Sequence, residues 1–137
     1  MTASPANEDP DALGAVQRLL QQGEVAKALE TLNGLADAAK SSVMGQYMRG
    51  VCLRLMGEFA NAESALRQLV EGNPSYGRAF QELGHLYRDA NMPTEALNAY
   101  ATACHLNPGL KASWAAQRDL IGKGSPERAD QISQRLK

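Results

Sequence analysis

The chain has 137 residues, room for one domain or one short repeat array. Its 22 alanines and 17 leucines, against 5% aromatic residues, favour close-packed helices over a β-sandwich or barrel. With 14 basic and 15 acidic residues the formal charge is −1, which argues against a general nucleic-acid or anionic-membrane binder. Two cysteines, Cys52 and Cys104, make no disulfide framework and fit a reducing compartment or two core positions. The acidic start, Met1 to Pro10, has no apolar run of the Sec signal type. No stretch approaches the roughly 18–20 apolar residues of a membrane helix. The expected class is a small, mostly helical, cytoplasmic protein.

In chain order, residues 1–8 read as a disordered acidic tail, and Asp9-Pro10-Asp11 opens the first helix with an acid and a first-turn proline. From there the sequence repeats every 34 residues: Ala28, Ala62 and Ala96; Leu32, Leu66 and Tyr100; Leu35, Leu69 and Ala103. Gly23, Gly57 and Asn91 share one further column, Gly50 and Gly84 another, and Pro74 and Pro108 a third. The spacing predicts units of about 9–42, 43–76, 77–110 and 111–137, each holding two helices. In the third, Phe80, Leu83, Leu86 and Tyr87 make one helix face. After a break at Asn91-Met92-Pro93, Ala96, Leu97, Tyr100, Ala103 and Cys104 make the second, and Asn107-Pro108 closes the unit. Gly84 and Ala96 are small where the paired helices approach, and the larger Leu and Tyr residues are expected to fill the gaps to the neighbouring unit. In the last unit Ser125-Pro126-Glu127 opens a short helix, and Arg118, Arg128, Asp130, Gln131, Gln134 and Arg135 read as a polar cap.

These residues resemble the tetratricopeptide repeat (TPR) family. Its pattern is an aromatic, Leu-Gly, Tyr, Ala, an aromatic and a closing Pro. The third unit carries it as Phe80, Leu83-Gly84, Tyr87, Ala96, Tyr100, Ala103 and Pro108. The second keeps Gly50, Leu53, Ala62, Leu66 and Pro74 but has Arg49 where Leu is usual. The first has Val16 in the glycine column and Lys40 in place of the closing Pro. The fourth begins with Trp114 and then has Gln117-Arg118 in place of Leu-Gly. The resemblance implies an all-α, right-handed α-solenoid of about four antiparallel helix pairs. Buried in the family's apolar slot, Arg49 would be costly without a partner, so it is expected to be partly exposed, either snorkelling out or pairing with Glu63 or Glu82.

The resemblance also implies a concave groove lined by the first helix of each pair. The residues on that face are Leu13 and Gln17; Met44, Tyr47, Met48, Val51 and Arg54; Arg78, Gln81, Glu82, His85 and Arg88; and Ala112, Ala115 and Asp119. Tyr47, Met48 and Val51 offer an apolar patch, and Arg78, Arg88 and protonated His85 a cationic one. Such a surface suits a protein or peptide ligand with apolar anchors and carboxylates. Tyr47 and Met48 fit a core contact equally well. Family members that grip a chaperone's terminal carboxylate use Lys, Asn, Asn, Lys and Arg. Leu13, Gln17, Met48, Arg78 and Glu82 stand at those places here, so that ligand is not expected.

Catalytic signals are sparse. The sequence has no phosphate-binding glycine loop, HExxH, CxxC or GxSxG. His85 and Asp89 are one helical turn apart, which is too few ligands for a metal. The expectation is a non-catalytic interaction module with no cofactor. A narrower likeness points elsewhere: Gln81 to Arg88 and Leu106 to Trp114 are similar to TPR segments that precede a sulfotransferase domain in bacterial proteins. That resemblance implies a regulatory or substrate-presenting segment of a larger enzyme. A self-assembling scaffold is a third reading, disfavoured by Arg128, Asp130 and Arg135. The expected state is a monomer or weak homodimer.

Overall fold

Helix boundaries follow the sequence punctuation closely. The computed structural model describes residues 12–122. They form α1 (Ala12–Gln21), α2 (Val25–Asn33), α3 (Asp37–Ser41), α4 (Val43–Leu55), α5 (Phe59–Gly72), α6 (Gly77–Asp89), α7 (Pro93–Leu106) and α8 (Lys111–Gly122). No strand occurs among the described residues. The predicted tail, the opening Asp9-Pro10-Asp11 and, apart from the half-buried Arg118 of α8, the terminal cap lie outside them.

Three turns repeat one device. Gly23, Gly57 and Asn91 adopt φ of +80°, +79° and +64°. Beside them Glu24, Glu58 and Met92 donate their backbone N–H to the carbonyls of Leu19, Leu53 and Tyr87, at 2.8, 2.9 and 2.8 Å. This pairing, five residues back, is the Schellman closure. It needs a residue that tolerates left-handed backbone, which glycine and asparagine do at least cost. It reverses the chain tightly, so α1–α2, α4–α5 and α6–α7 become helix–turn–helix pairs.

The second helix of the first repeat departs from expectation. It stops at Asn33, with Gly34 donating to the carbonyls of Glu30 and Thr31, and a separate five-residue helix, α3, follows. The corresponding helices α5 and α7 run unbroken for 14 residues each. Gly34 weakens helix continuation, and Lys40 stands where the other repeats place a proline, so a second short turn can form before α4. Ser42 then caps α4, its Oγ accepting from the Gly45 N–H at 3.0 Å and donating to the Ala39 carbonyl at 2.6 Å. The described residues therefore hold three pairs, one additional helix and α8, the first helix of the fourth unit; the second helix expected of that unit lies outside them.

The chain divides into two compact units between Leu69 and Val70. In the first, Ala12, Val16, Ala28, Leu32, Leu35, Met48 and Cys52 form the buried cluster. Gly50 lies against Leu66, where even a Cβ would come within 2.4 Å of a leucine methyl. In the second, Leu83, Leu86, Tyr87, Ala96, Tyr100 and Ala103 are buried. There Gly84 lies against the Tyr100 ring, and a Cβ would come within 2.6 Å of it. The small column thus lets the paired helices close to contact distance, and the residue it faces fills the core.

Candidate binding faces

In the first unit the expected binding face is partly absorbed by the core. Met48 is 5% exposed and belongs to the buried cluster, with Tyr47 and Leu13 half-buried against it. Met48 is thus a packing residue and not an available anchor. Met48 shares the inward side of α4 with the buried Gly45 and Cys52, one helical turn before and after it. Val51 and Arg54 are half-buried, and Gln17 is exposed on α1. Met44, at 38% exposure, is one of three exposed large apolar side chains on this helix, with Val43 and the more exposed Leu55.

In the second unit the face on α6 is held from behind. The Gln81 side-chain carbonyl accepts from Ser113 Oγ of α8 at 2.7 Å, and Ser113 is fully buried. His85 Nδ1 lies 2.6 Å from the Tyr100 hydroxyl of α7, with the rings edge-on at 5.3 Å between centroids. Glu82 is only 5% exposed, so it contributes to the unit's interior rather than to a contact surface. Arg78 and Arg88 remain exposed on the same helix, Arg88 lying 3.8 Å from its neighbour Asp89. Asp119 is exposed on α8, 3.9 Å from Arg118. The expected cationic patch is therefore two exposed arginines flanking a middle fixed to the scaffold. Sequence reasoning missed Ser113, whose small hydroxyl in Ala-Ser-Trp carries no repeat signal.

Other polar groups settle into structural roles. Gln117 donates to Cys104 Sγ at 3.2 Å and to the Ser113 carbonyl at 3.3 Å. Trp114 Nε1 donates to the Pro108 carbonyl at 2.9 Å. Burial pushes the Cys104 thiol up to about 11 despite that hydrogen bond. Burial does the same to Cys52, to about 11, against the opposing charge of Arg49. Neither thiol is an activated nucleophile at neutral pH. Among the described residues no three His, Cys, Asp or Glu side chains converge as a metal site, and His85 with Asp89 gathers no third ligand. Arg49 is half-buried, as expected, but its partner differs: Nη2 donates to the Asn33 side-chain oxygen, while Glu63 pairs with Arg67 at 3.3 Å.

The helix pairs, their 34-residue step and the glycine–core contacts identify the fold class, and comparison with known proteins agrees. A family profile described as Tetratricopeptide repeat matches residues 13–77 and 56–111. The chain belongs to the tetratricopeptide repeat family. Its fold is the all-α, helix-pair solenoid class of TPR proteins. A crystal structure of MamA shares 21% identity at a TM-score of 0.76, covering 94% of this chain and 78% of that one. MamA 41-end from Desulfovibrio magneticus RS-1 shares 19% identity at a TM-score of 0.77, covering 93% and 73%. At these identities the likeness establishes fold alone. Comparison with curated proteins returns no match. The narrower likeness to segments ahead of sulfotransferase domains gains nothing from these matches. No helix among the described residues is long and apolar enough to cross a membrane.

Proposed function

We propose that this TPR protein is a non-catalytic interaction module, which takes a peptide or a partner domain on the exposed faces of its first helices. The observation that carries the reading is α6. Arg78 and Arg88 are exposed there, while Gln81 and His85 between them are tied to α8 and α7. A charged surface on a backbone held from behind binds with little ordering cost. Two arginines ten residues apart on one helix, nearly three turns and about 15 Å at roughly 1.5 Å rise per residue, suit acidic side chains spaced along an extended or helical segment. On α4 the half-buried Tyr47, Val51 and Arg54 offer a mixed apolar and cationic face of the same kind. Membership in a family of interaction repeats supports this reading, because a solenoid's function lies in the residues its faces present.

The test is a peptide selection. A random peptide library is panned on the immobilised full chain, and the enriched peptides are titrated by calorimetry. Acidic sequences should be enriched, and Arg78→Ala with Arg88→Ala should weaken them about tenfold or more. Truncating Tyr47 and Arg88 together should weaken a selected peptide further than truncating Arg88 alone. Affinity unchanged in the α6 double variant moves the binding face elsewhere.

A further inference from the structure

Two departures from the repeat pattern meet in one place. Lys40 stands where later repeats have Pro74 and Pro108, and Arg49 stands where the next repeat has Leu83. Neither departure has a role in the faces described above. In the first unit both line a pocket of about 350 Å³, together with Ser41, Gln46, Ala65 and Gln68.

The local architecture explains why this space stays open. α3 packs backbone-to-backbone on the first turn of α4: a Cβ at Gly45 would fall 2.2 Å from the Ala39 carbonyl oxygen and 2.7 Å from that of Lys40. The carbonyls at the end of α3 already have donors. Ser42 Oγ serves Ala39, and Gln46 Nε2 serves Ser41 at 2.6 Å. The two cations are therefore not needed to satisfy them. Lys40 Nζ contacts the Asn33 carbonyl at 3.4 Å and Asp37 at 3.4 Å, but that carboxylate is fully exposed, where an ion pair is weak. Arg49 donates to the neutral side-chain oxygen of Asn33 and meets no carboxylate among the described residues. No acidic residue lines the pocket.

The equivalent place two repeats later shows the contrast. Pro108, Trp114 and Gln117 stand 68 residues after Lys40, Gln46 and Arg49, and all three line a pocket of about 410 Å³ in the second unit. There Trp114 Nε1 is bonded to Pro108, and Gln117 to Cys104 and Ser113, so the polar groups are consumed internally. In the first unit the same three positions hold an amide bonded to the Ser41 carbonyl and two cations, whose partners are the neutral Asn33 and the exposed Asp37, around the hollow.

We propose that the Lys40–Arg49 pocket is a second binding site, taking the carboxylate of an acidic peptide side chain. The guanidinium provides a planar fork for two oxygens, the ammonium a point charge, and the Gln68 amide a neutral donor at the rim. The site lies apart from the α6 arginines and stands independently of their role.

The test is an amide-shift titration of the full chain, at fixed ionic strength, with N-acetyl-triglutamate amide, its triglutamine counterpart and inorganic phosphate. Triglutamate should give saturable shifts at residues 40–49 and at the side-chain amides of Gln46 and Gln68, and triglutamine none. Arg49→Gln should weaken the titration about tenfold or more. Gln68→Glu places a carboxylate beside Arg49 on an exposed position. It should abolish binding while leaving the fold intact, so it carries the test if Arg49→Gln does not fold. Arg78→Ala with Arg88→Ala should leave these shifts unchanged. The proposal is overturned by absent or unsaturable shifts, by equal shifts from triglutamine, by indifference to both pocket variants, or by loss in the α6 variant. Saturation by phosphate without triglutamate overturns the carboxylate assignment.

Discussion

The two repeat junctions inside the compact units solve one problem with different residues. After α7 the chain turns through Asn107-Pro108, with Asn107 Oδ1 accepting from the Gly109 N–H at 3.0 Å and Trp114 closing on the Pro108 carbonyl. After α2 there is no proline, and the chain spends the extra freedom on α3. The first solution consumes its polar groups and yields an aromatic-lined hollow. The second needs a glycine at residue 45 to let two backbones touch, and leaves cations around open space. A repeat can thus keep its period while one substituted column changes the chemistry of a junction.

Substitutions at these contacts break the comparison to different extents. Gly45→Ala should have the largest effect, because the new methyl meets backbone that cannot rotate away. A loss of about 3 kcal/mol is expected from overpacking, read as a lower midpoint in denaturant unfolding. Gly84→Ala meets the Tyr100 ring and should cost about 1–2 kcal/mol, part of the clash being offset by alanine's helix propensity. Gln117→Leu should cost about 1 kcal/mol by removing the bonds to Cys104 and Ser113, whereas Arg49→Leu at the equivalent column should be neutral or stabilising. Equal losses at the two positions would erase the distinction between the junctions.

The smallest effect is chemical. Both buried thiols sit near 11 when folded, against an ordinary 9.0, so they stay protonated and resist a disulfide reagent at neutral pH. The unfolded chain loses those protons first as pH rises. The thiols' contribution to stability is therefore intact below about pH 9 and declines toward pH 11. Rapid labelling of native protein at pH 7 would contradict this.

Much of the fold was legible in the sequence because repetition samples each structural need several times. The column Gly23, Gly57 and Asn91 announced three left-handed turns, and all three adopt positive φ. Gly84 was readable as a close approach of two helices, but that it would lie against the Tyr100 ring was not. α3 was not, since it arises from an absent proline and a glycine at 34, each a weak signal alone. The binding faces were harder to read. Helical periodicity assigns Met48 and Glu82 to a stripe, but how far that stripe turns inward depends on packing from neighbouring helices. Ser113 holding Gln81 is a contact 32 residues away in sequence, which periodicity does not address.

The proposed binding face is that of α6. Hydrogen exchange of the full chain, with and without a selected acidic peptide, measures this most directly. Exchange should slow mainly over residues 77–89, and the slowing should diminish in Arg78→Ala with Arg88→Ala. Slowing elsewhere with α6 unchanged would contradict it.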